Sequence, residues 1–308
     1  MVSKALKSSH LTQGKLVQKF EETCAEYLNK TYAVAVSNGT AALYCAYRTY
    51  YERTFEEREV LEIPAITFKA TLRALLLTEN KYRVVDTEED GMCRKASVKI
   101  DLGGAVPDYK CIIEDASHAF GSLGVGNSLM TCFSLHATKN LGVGEGGLIV
   151  TDSKEMYEGL KSIREFGTVS HPSLNFRMSE VPAALGLSRI KRVNEDAGKK
   201  LRLMFRYVDK GIPIIPYLTN PSINPHLAIC KFNNPVKIHW GLKKEGIGSQ
   251  NHYEPLEKGY ILAPHPFASY YWRTALSIPL YPQLTIQEQD KVIQVLHKLM
   301  KEDKNGKD

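Results

Sequence analysis

Short apolar runs alternate with longer stretches of helical character through the first half of this chain. The runs are YAVAV at 32–36, VLEIPAITF at 60–68, KYRVVD at 81–86, KCIIEDA at 110–116 and GGLIVT at 146–151. Strands of this length separated by helical stretches favour a mostly parallel sheet wrapped by helices. We therefore predict an α/β fold, with the functional loops at the C-terminal ends of its strands.

The character of the sequence changes near residue 153. Long charged helical stretches come first, proline-rich loops and short strands follow to about residue 282, and an amphipathic helix is expected at about 285–302. A chain of 308 residues with 43% hydrophobic residues is long enough for one large domain or two unequal ones. We place a boundary near residue 200, with a large cofactor-binding domain at 1–200 and a smaller C-terminal α/β domain at 201–308.

No stretch of the sequence has the length or composition of a membrane span. The longest apolar runs, such as ALLL at 74–77, fall far short of about 20 residues, and the first 15 residues lack the apolar core of a signal peptide. The sequence therefore predicts a cytoplasmic protein that does not bind a membrane.

Cysteine spacing and charge limit the possible partners. The six cysteines never form a C-x-x-C pair and lie mostly among apolar residues, which favours reduced core thiols over a metal site or disulfides. The net charge of +6 is spread along the chain, and acids interrupt its densest basic runs. This pattern argues against nucleic-acid binding and is compatible with a small anionic substrate such as a phosphorylated sugar.

A helix is predicted at 13–29 and a strand at 32–36, and the first motif follows this strand. Ser37, Asn38, Gly39 and Thr40 open a second helix there. Free backbone N–H groups and the positive end of the helix dipole make such a start an anion site, to which Thr40 adds a hydroxyl. The same residues also suit an ordinary N-cap, so the motif alone leaves both interpretations open.

The second motif, CIIEDASHAFGS, brings two acids to the end of a strand that should be buried on both faces. Glu114 and Asp115 follow the apolar residues 111–113. A buried carboxylate requires a cationic or strongly donating partner, and the protonated ring nitrogen of a bound cofactor would serve. An aspartate that caps the next turn is the alternative.

The third motif is CFSLHATKNLGVGEGGLIVT at 132–151. Ser134 and Lys139 stand beside a turn with four glycines in six positions, and Lys139 follows Asp115 by 24 positions. Glycines allow the backbone to approach another segment or a ligand closely. A glycine-rich surface turn with a solvated lysine is the plain alternative for this motif alone.

Together the three motifs supply the parts that hold pyridoxal phosphate. A lysine forms a Schiff base with the cofactor, a carboxylate keeps the pyridine nitrogen protonated, and an anion cradle binds the 5′-phosphate. The chain moreover resembles the DegT/StrS family of sugar aminotransferases, which are fold-type I pyridoxal-phosphate enzymes. The resemblance covers nearly the whole chain in the family's order, from LTQGK at 11–15 through the three motifs and NFRMSEVPAALG at 175–186 to HYEPLEKG at 252–259 and SIPLYPQLT at 277–285.

The resemblance implies roles for the matching residues. Lys139 would form the Schiff base and move the proton between donor and cofactor, Asp115 would pair with the pyridine nitrogen, and His118 would support the ring. The remaining cofactor-binding residues implied are Gly39, Thr40 and Ser134 at the phosphate, and Phe68 stacked on the ring. Core packing is the alternative for Phe68.

Further roles implied by the resemblance lie outside the cofactor motifs. His252 and Tyr253 would contact substrate, and His136 and Glu145 would support the lysine turn. Asn175 would reach the phosphate across a homodimer interface. The alternative for Asn175 is that it caps the helix that follows it.

The resemblance also implies a reaction, and two alternative functions remain beside it. L-glutamate would supply an amino group, and a keto group of a nucleotide-linked sugar would receive it in a ping-pong transamination, giving amino sugars for polysaccharides or other glycans. A sugar dehydratase is a less suitable interpretation, because such relatives replace the lysine by histidine and this chain has Lys139. A non-catalytic regulator of the same fold is the other alternative.

The chain is some tens of residues shorter than is usual in the family. The losses lie between VVD at 84–86 and KCIIEDA, and between GS at 121–122 and CFSLH at 132–136. Both loops are expected near the substrate entrance, so the shortening bears on the substrate more than on the cofactor.

Overall fold

The structure is a computed structural model that describes residues 2–54, 59–256 and 265–305. Eleven strands are assigned in this part of the chain: β1 (Tyr32–Val36), β2 (Leu61–Pro64), β3 (Tyr82–Val85), β4 (Val98–Ile100), β5 (Ile113–Asp115), β6 (Met130–Ser134), β7 (Gly147–Thr151), β8 (Glu165–Gly167), β9 (Pro172–Asn175), β10 (Ala228–Lys231) and β11 (Ala275–Ile278). The α-helices of the same residues are α1 (Val2–Leu6), α2 (Lys15–Tyr27), α3 (Gly39–Arg53), α4 (Lys69–Leu76), α5 (Lys154–Arg164), α6 (Glu180–Arg189), α7 (Val193–Asp209), α8 (Pro235–Lys244), α9 (Pro266–Thr274) and α10 (Ile286–Asn305).

The central sheet has five strands in the order β1-β7-β6-β5-β4. β4, β5 and β6 are parallel neighbours, whereas β7 is antiparallel to both β6 and β1. Four of the five strands therefore point the same way, and β2 and β3 form a separate parallel pair. The predicted α/β fold with a mostly parallel sheet is confirmed, and the reversal of β7 adds an antiparallel element.

The strands of the sheet are buried on both faces, as the apolar runs predicted. All five residues of β7 are buried, and α3 and α5 pack on one side of the sheet while α2 lies on the other. On α2 the side chains of Val17, Phe20 and Cys24 recur at helical spacing, and none of them is exposed to solvent. This apolar stripe fixes the helix against the sheet.

The start of α2 is held by a residue that lies far away in sequence. The carboxylate of Glu180 accepts hydrogen bonds from the backbone N–H groups of Gly14, Leu16 and Val17 at 3.0, 3.1 and 2.9 Å. Glu180 is 4% exposed and is the first residue of α6. A carboxylate at this position satisfies N–H groups that have no partner within the helix and interacts favourably with the helix dipole.

Helix α7 connects the sheet layer with the C-terminal part of the chain. Val193 at its start packs with the residues beneath the sheet, while Met204 and Tyr207 pack in a cluster with β10, β11, α8 and α10. Residue 200 falls inside this helix. The division into domains at 1–200 and 201–308 stays a prediction.

Several elements were not anticipated from the sequence. β4 has only three residues, one of which is Lys99, and its apolar content is too small to stand out. β6 contains the hydroxylic residues Thr131 and Ser134, which interrupt its apolar pattern. Helices α8 and α9 lie in the region where proline-rich loops and short strands were expected. The helix expected at 285–302 is observed at Ile286–Asn305.

The cysteines follow the expected pattern for the most part. All six are free thiols, and Cys24, Cys45, Cys132 and Cys230 are buried. Cys93 and Cys111 are only partly buried. Within the described residues, no helix has both the length and the apolar character to cross a membrane.

Candidate active site

A cavity of about 770 Å³ lies at the carboxyl ends of the parallel strands. The last residues of β4, β5 and β6 reach it, and so do the first residues of α3. This is the edge of the sheet where the functional loops were expected. Among the lining residues that carry functional groups are Thr40, Asp101, Asp115, His118, Ser134, Lys139 and Tyr253.

The start of α3 forms one wall of the cavity. Asn38 is the N-cap, and its side-chain oxygen accepts a hydrogen bond of 2.8 Å from the Ala41 N–H. Gly39 and Thr40 are the first two helical residues, and both line the cavity. The capping and anion-site interpretations are therefore compatible, because the cap occupies Ala41 and leaves the two preceding residues facing the cavity.

The glycines of the first and third motifs let two segments pack backbone against backbone. A Cβ atom on Gly39 would lie 2.7 Å from the Cβ of Ser134, and one on Gly147 would lie 2.2 Å from the Asn38 carbonyl oxygen. Such distances exclude any side chain at these positions without movement of the backbone. The close packing brings Gly39, Thr40 and Ser134 to one end of the cavity.

Asp115 ends β5 and is 6% exposed, at the cavity wall. The Thr71 hydroxyl donates to one carboxyl oxygen at 2.7 Å. The other oxygen accepts from the Ser117 hydroxyl at 2.6 Å and from the Ser117 N–H at 3.2 Å. Three donors thus fix the orientation of this carboxylate toward the cavity.

Glu114 points away from the cavity, because consecutive side chains of a strand face opposite sides. It is fully buried, and its carboxylate lies 2.9 Å from the Lys99 ammonium and accepts a 2.8 Å hydrogen bond from the Thr131 hydroxyl. Of the two acids in the second motif, only Asp115 lines the cavity. Glu114 finds the cationic partner that burial requires within the protein.

Lys139 projects into the cavity from the glycine-rich turn. Burial lowers the pKa of its amine to about 8, although the nearby Asp115 opposes this shift. The turn is closed by backbone hydrogen bonds from Lys139 to His136 and from Ala137 to Gly144, both of 2.8 Å. At neutral pH a larger fraction of this amine is neutral than at a solvated lysine.

His136 and Glu145 lie at the exposed mouth of the cavity on either side of this turn. Their side chains approach within 3.9 Å, and His136 Nδ1 lies 3.1 Å from the Thr138 hydroxyl. Both side chains are largely exposed. His136 contacts Thr138 of the turn, and within the described residues neither side chain forms a hydrogen bond with the Lys139 amine.

His118 is buried beneath the cavity and is neutral. Its Nδ1 accepts a hydrogen bond of 3.2 Å from the Gly103 N–H, and its Nε2 lies 3.0 Å from the Tyr253 hydroxyl. Burial lowers its pKa well below the usual value, and the charge of Lys139 acts in the same direction. Because Nδ1 accepts, the proton is on Nε2, which donates to Tyr253.

Phe68 and Tyr253 lie together on one side of the cavity, with ring centroids 5.5 Å apart. Phe68 is 48% exposed, so it is not packed in the core. His252 does not line the cavity; its Nδ1 lies 2.8 Å from the Ser277 hydroxyl. Burial and the charge of Lys139 lower the pKa of His252 to about 4. Residues 257–259 of this motif lie outside the described residues.

Asn175 is, with His252, a predicted site residue that does not line the cavity of its own chain. It is exposed at the end of the β8–β9 hairpin, and its side-chain oxygen accepts from the Arg177 N–H at 3.1 Å. The neighbours Leu174 and Phe176 do line the cavity. The N-cap of α6 is Ser179, so Asn175 does not cap that helix.

Three further polar groups at the site were not found from the sequence. His226 Nε2 lies 3.5 Å from the Lys139 amine, and the ring of His226 is 4.4 Å from that of His118. The Lys200 amine donates at 2.7 Å to the side chain of Asn140, the residue after Lys139. His226 and Lys200 stand far from the motifs in sequence, and only the position of Asn140 beside Lys139 carried a local signal.

Proteins similar to this chain share its full span. A UDP-4-amino-4,6-dideoxy-N-acetyl-beta-L-altrosamine transaminase from Campylobacter jejuni is 26% identical over 364 aligned positions, which cover 99% of this chain and 95% of the relative. The Helicobacter pylori protein of the same name is 29% identical over 97% and 93% of the two chains. The alignment of 364 positions exceeds the 308 residues of this chain, so the relative contains internal stretches that are absent here.

Solved structures support the same fold. Helicobacter pylori PseC, an aminotransferase involved in the biosynthesis of pseudoaminic acid, superposes with a TM-score of 0.87 at 25% identity and covers 98% of this chain and 95% of its own. A putative sugar aminotransferase from Streptococcus pneumoniae in its PLP form has a TM-score of 0.84 at 21% identity over 98% and 95% of the two chains. The fold is that of the PLP-dependent aminotransferases.

The residues of the cavity fit pyridoxal 5′-phosphate. Gly39 leaves room for an anion at a helix start that a Cβ atom would fill, Lys139 offers an amine with a pKa of about 8, and Asp115 offers an oriented carboxylate. These are an anion cradle, a nucleophile and a partner for a protonated ring nitrogen. The donor set, the fold and the family agree on this cofactor.

A protein-family model matches most of the chain. It describes the DegT/DnrJ/EryC1/StrS aminotransferase family and matches residues 1–99 and 110–297, so the match includes all three motifs. The chain belongs to the DegT/DnrJ/EryC1/StrS aminotransferase family.

Proposed function

We propose that this enzyme transfers an amino group from L-glutamate to a keto group of a nucleotide-linked sugar. The observation that carries the proposal is the convergence of the Lys139 amine, the Asp115 carboxylate and the Gly39–Thr40 helix start on one cavity. The names of the similar transaminases from Campylobacter jejuni and Helicobacter pylori support a UDP-linked amino-dideoxy sugar as the class of substrate. A spore coat polysaccharide biosynthesis protein from Bacillus subtilis, 27% identical, supports a role in polysaccharide synthesis.

When bound, pyridoxal phosphate supplies a reactive carbonyl carbon and a ring that accepts electrons. Lys139 would hold the cofactor through its amine, and the free amine would move a proton between the donor Cα and the cofactor carbon. A pKa of about 8 suits this exchange, since the amine can both accept and return a proton near neutral pH. The same lysine serves both half-reactions of a ping-pong sequence, in which the donor leaves before the sugar binds.

The other cavity residues would orient and hold the cofactor. Asp115 would keep a proton on the ring nitrogen, and the hydroxyls of Thr71 and Ser117 hold its carboxylate in place. Gly39, Thr40 and Ser134 would bind the phosphate at the start of α3. Phe68 would stack on the ring, while neutral His118 positions the Tyr253 hydroxyl through its Nε2 proton.

An apolar wall near the mouth of the cavity suits the sugar nucleotide rather than the amino acid. Tyr44 and Phe176 have ring centroids 5.2 Å apart, and both line the cavity together with Leu174. Tyr253 lines the same cavity, and the ring of the adjacent His252 is held by the Ser277 hydroxyl. We assign His252 and Tyr253 to the substrate side on this basis.

The working unit that we propose is a homodimer. Asn175 is exposed beside Leu174 and Phe176 but does not line the cavity of its own chain. Across a two-fold axis it would complete the phosphate site of the neighbouring subunit. The expected cytoplasmic location and the division at residue 200 stay predictions.

The decisive experiment uses the purified protein loaded with pyridoxal phosphate. Addition of L-glutamate should bleach the visible band of the lysine-bound cofactor and produce 2-oxoglutarate in a stoichiometric burst. A UDP-linked 4-keto-6-deoxy sugar should then restore the band and yield an amino sugar. A non-catalytic regulator would show no bleaching, and a dehydratase would bleach without forming an amino sugar.

A further inference from the structure

A second aspartate stands beside Asp115 at the floor of the cavity. Asp101 directly follows β4, the strand parallel to β5, and its N–H donates a 3.1 Å hydrogen bond to the Asp115 carbonyl oxygen. The side chain is 1% exposed and belongs to the cavity wall. Within the described residues no N–H or O–H group donates to either carboxyl oxygen, and the Glu114 carboxylate is close enough to accept a hydrogen bond from a protonated Asp101.

The charges around Asp101 come from three segments. Lys99 on its own strand and Glu114 on β5 form a 2.9 Å ion pair, and each is at most 1% exposed. Asp115 faces the cavity from the end of β5 and interacts with the Lys139 amine. The Tyr109 hydroxyl is also close enough for its charged form to repel Asp101.

Lys99 attracts both Asp101 and Glu114, but a single ammonium can balance only one of the two carboxylates. The Lys99 ammonium is matched by Glu114, and the Lys139 amine lies on the side of Asp115. An ionised Asp101 would therefore be an additional buried negative charge without a donor on either oxygen. A buried negative charge without a donor or a cation of its own is unfavourable in a protein interior, so the neutral acid is favoured.

We propose that Asp101 is a positioning residue that holds a proton at neutral pH, which makes Asp115 the single carboxylate charge that the cavity floor presents to the cofactor ring. The O–H of Asp101 then provides one hydrogen-bond donor within a group of acceptors, Glu114 and Asp115. With this proton in place, Lys99 balances Glu114, and Asp115 remains to balance a protonated ring nitrogen. The proposal concerns the protein before any substrate binds and goes beyond the transamination proposed above.

A measurable consequence follows for the cofactor-free protein. Burial raises the pKa of Asp101 well above its usual range, and the charge of Glu114 adds to this shift. At a pH between the pKa of Asp101 in the unfolded chain and its higher pKa in the folded chain, the folded chain thus holds up to one proton more than the unfolded chain. In that window, the unfolding equilibrium shifts toward the unfolded chain as the pH rises, by up to about tenfold per pH unit.

The experiment compares Asp101→Asn with the wild type in urea unfolding of the cofactor-free protein from about pH 5 to about pH 8. Asn retains the shape and a donor but cannot ionise. We expect the stability of Asp101→Asn relative to the wild type to increase steadily as the pH rises. Asp108→Asn, an exposed aspartate on the same segment, should follow the wild type at every pH.

A second measurement does not depend on the variant's folding. The infrared spectrum of the folded wild type at neutral pH should contain the carbonyl band of a protonated carboxylic acid, which Asp101→Asn removes and Asp108→Asn keeps. Glu21→Gln serves as a correction, because burial also raises the pKa of Glu21. Parallel stability curves for Asp101→Asn and the wild type, or a wild type without a protonated-acid band beyond that of Glu21, would overturn the proposal. Neither readout requires aminotransferase activity.

Discussion

Lys139 lines a large cavity, and its pKa is about 8. A surface lysine does not combine these two properties. Only the neutral amine attacks a carbonyl group. We therefore expect the rate at which the cofactor-free protein binds pyridoxal phosphate covalently to rise roughly tenfold per pH unit below pH 8 and to level off above it. Stopped-flow measurement of the visible band checks this dependence.

The same residue can be tested by its removal. Lys139→Ala should abolish turnover and the visible band at every pH, while the phosphate cradle still retains some cofactor. Borohydride reduction of the wild type followed by peptide mapping should place the adduct on Lys139. An adduct on the exposed Lys154 or Lys161 instead would contradict the assignment.

Asp115 offers a second test at the level of one side chain. Asp115→Asn removes the charge that holds a proton on the cofactor ring but retains the shape that Thr71 and Ser117 contact. We expect kcat to fall by at least about 100-fold, as is typical when a positioned electrostatic partner is lost. The control is Asp108→Asn, which should react at the wild-type rate; an equal rate for Asp115→Asn would show that another acid fills the role.

The sequence revealed some of these side chains and concealed others. Asp115 and Lys139 were found because each follows or precedes an apolar strand within a motif of distinctive composition. Asp101 follows a strand of only three residues, and His226 reaches Lys139 from a loop 87 positions away. No local pattern predicts such contacts, since tertiary packing alone brings those residues to the cavity.

At the level of elements, the strength of the apolar pattern decided what could be predicted. β1 and β7 are continuous apolar runs, and the sequence predicted both. β4 contains Lys99, whose charge interrupts the apolar pattern from which a buried strand is predicted. Lys99 can be buried because it pairs with Glu114. The direction of β7 also escaped prediction, because an apolar run carries no information about the orientation of its neighbours.

The start of α2 gives a prediction about stability. Glu180→Gln leaves one acceptor oxygen where the carboxylate now accepts three backbone N–H groups, so at least one buried donor loses its partner. We expect the free energy of unfolding to fall by about 2 kcal/mol, the usual cost of removing hydrogen bonds to a buried charge. Urea unfolding of the cofactor-free protein measures the change.

A matched control separates capping from charge. Glu155→Gln changes an exposed acid in the first turn of α5 and should cost at most a few tenths of a kcal/mol. If Glu180→Gln were no less stable than Glu155→Gln, the three hydrogen bonds at α2 would contribute nothing measurable.

At the level of the whole molecule, the proposed homodimer predicts complementation. Lys139→Ala and Asn175→Ala chains should each be inactive or strongly impaired. If Asn175 acts on the neighbouring subunit, a mixed dimer contains one site with both residues intact, so activity should return toward about a quarter of the wild-type value after random exchange of subunits.

The control for this experiment mixes Lys139→Ala with Asp115→Asn chains. Lys139 and Asp115 belong to the cavity of the same chain, so every site of a mixed dimer carries one of the two changes and no activity should return. If the Asn175→Ala mixture also fails to recover after verified subunit exchange, Asn175 serves its own chain. Sedimentation of an active monomer would contradict the dimer itself.

The pairing of β1 with β7 also sets the order in which this protein can be made. Val36 lies opposite Gly147, so the strands that lead to the phosphate cradle pair only after the intervening chain has been synthesised and folded back. A contact of such long range forms late, because its loop-closure entropy must first be overcome. Pyridoxal phosphate is therefore expected to bind after the sheet has formed. Its concentration should affect how long the folded enzyme persists rather than how fast the enzyme folds.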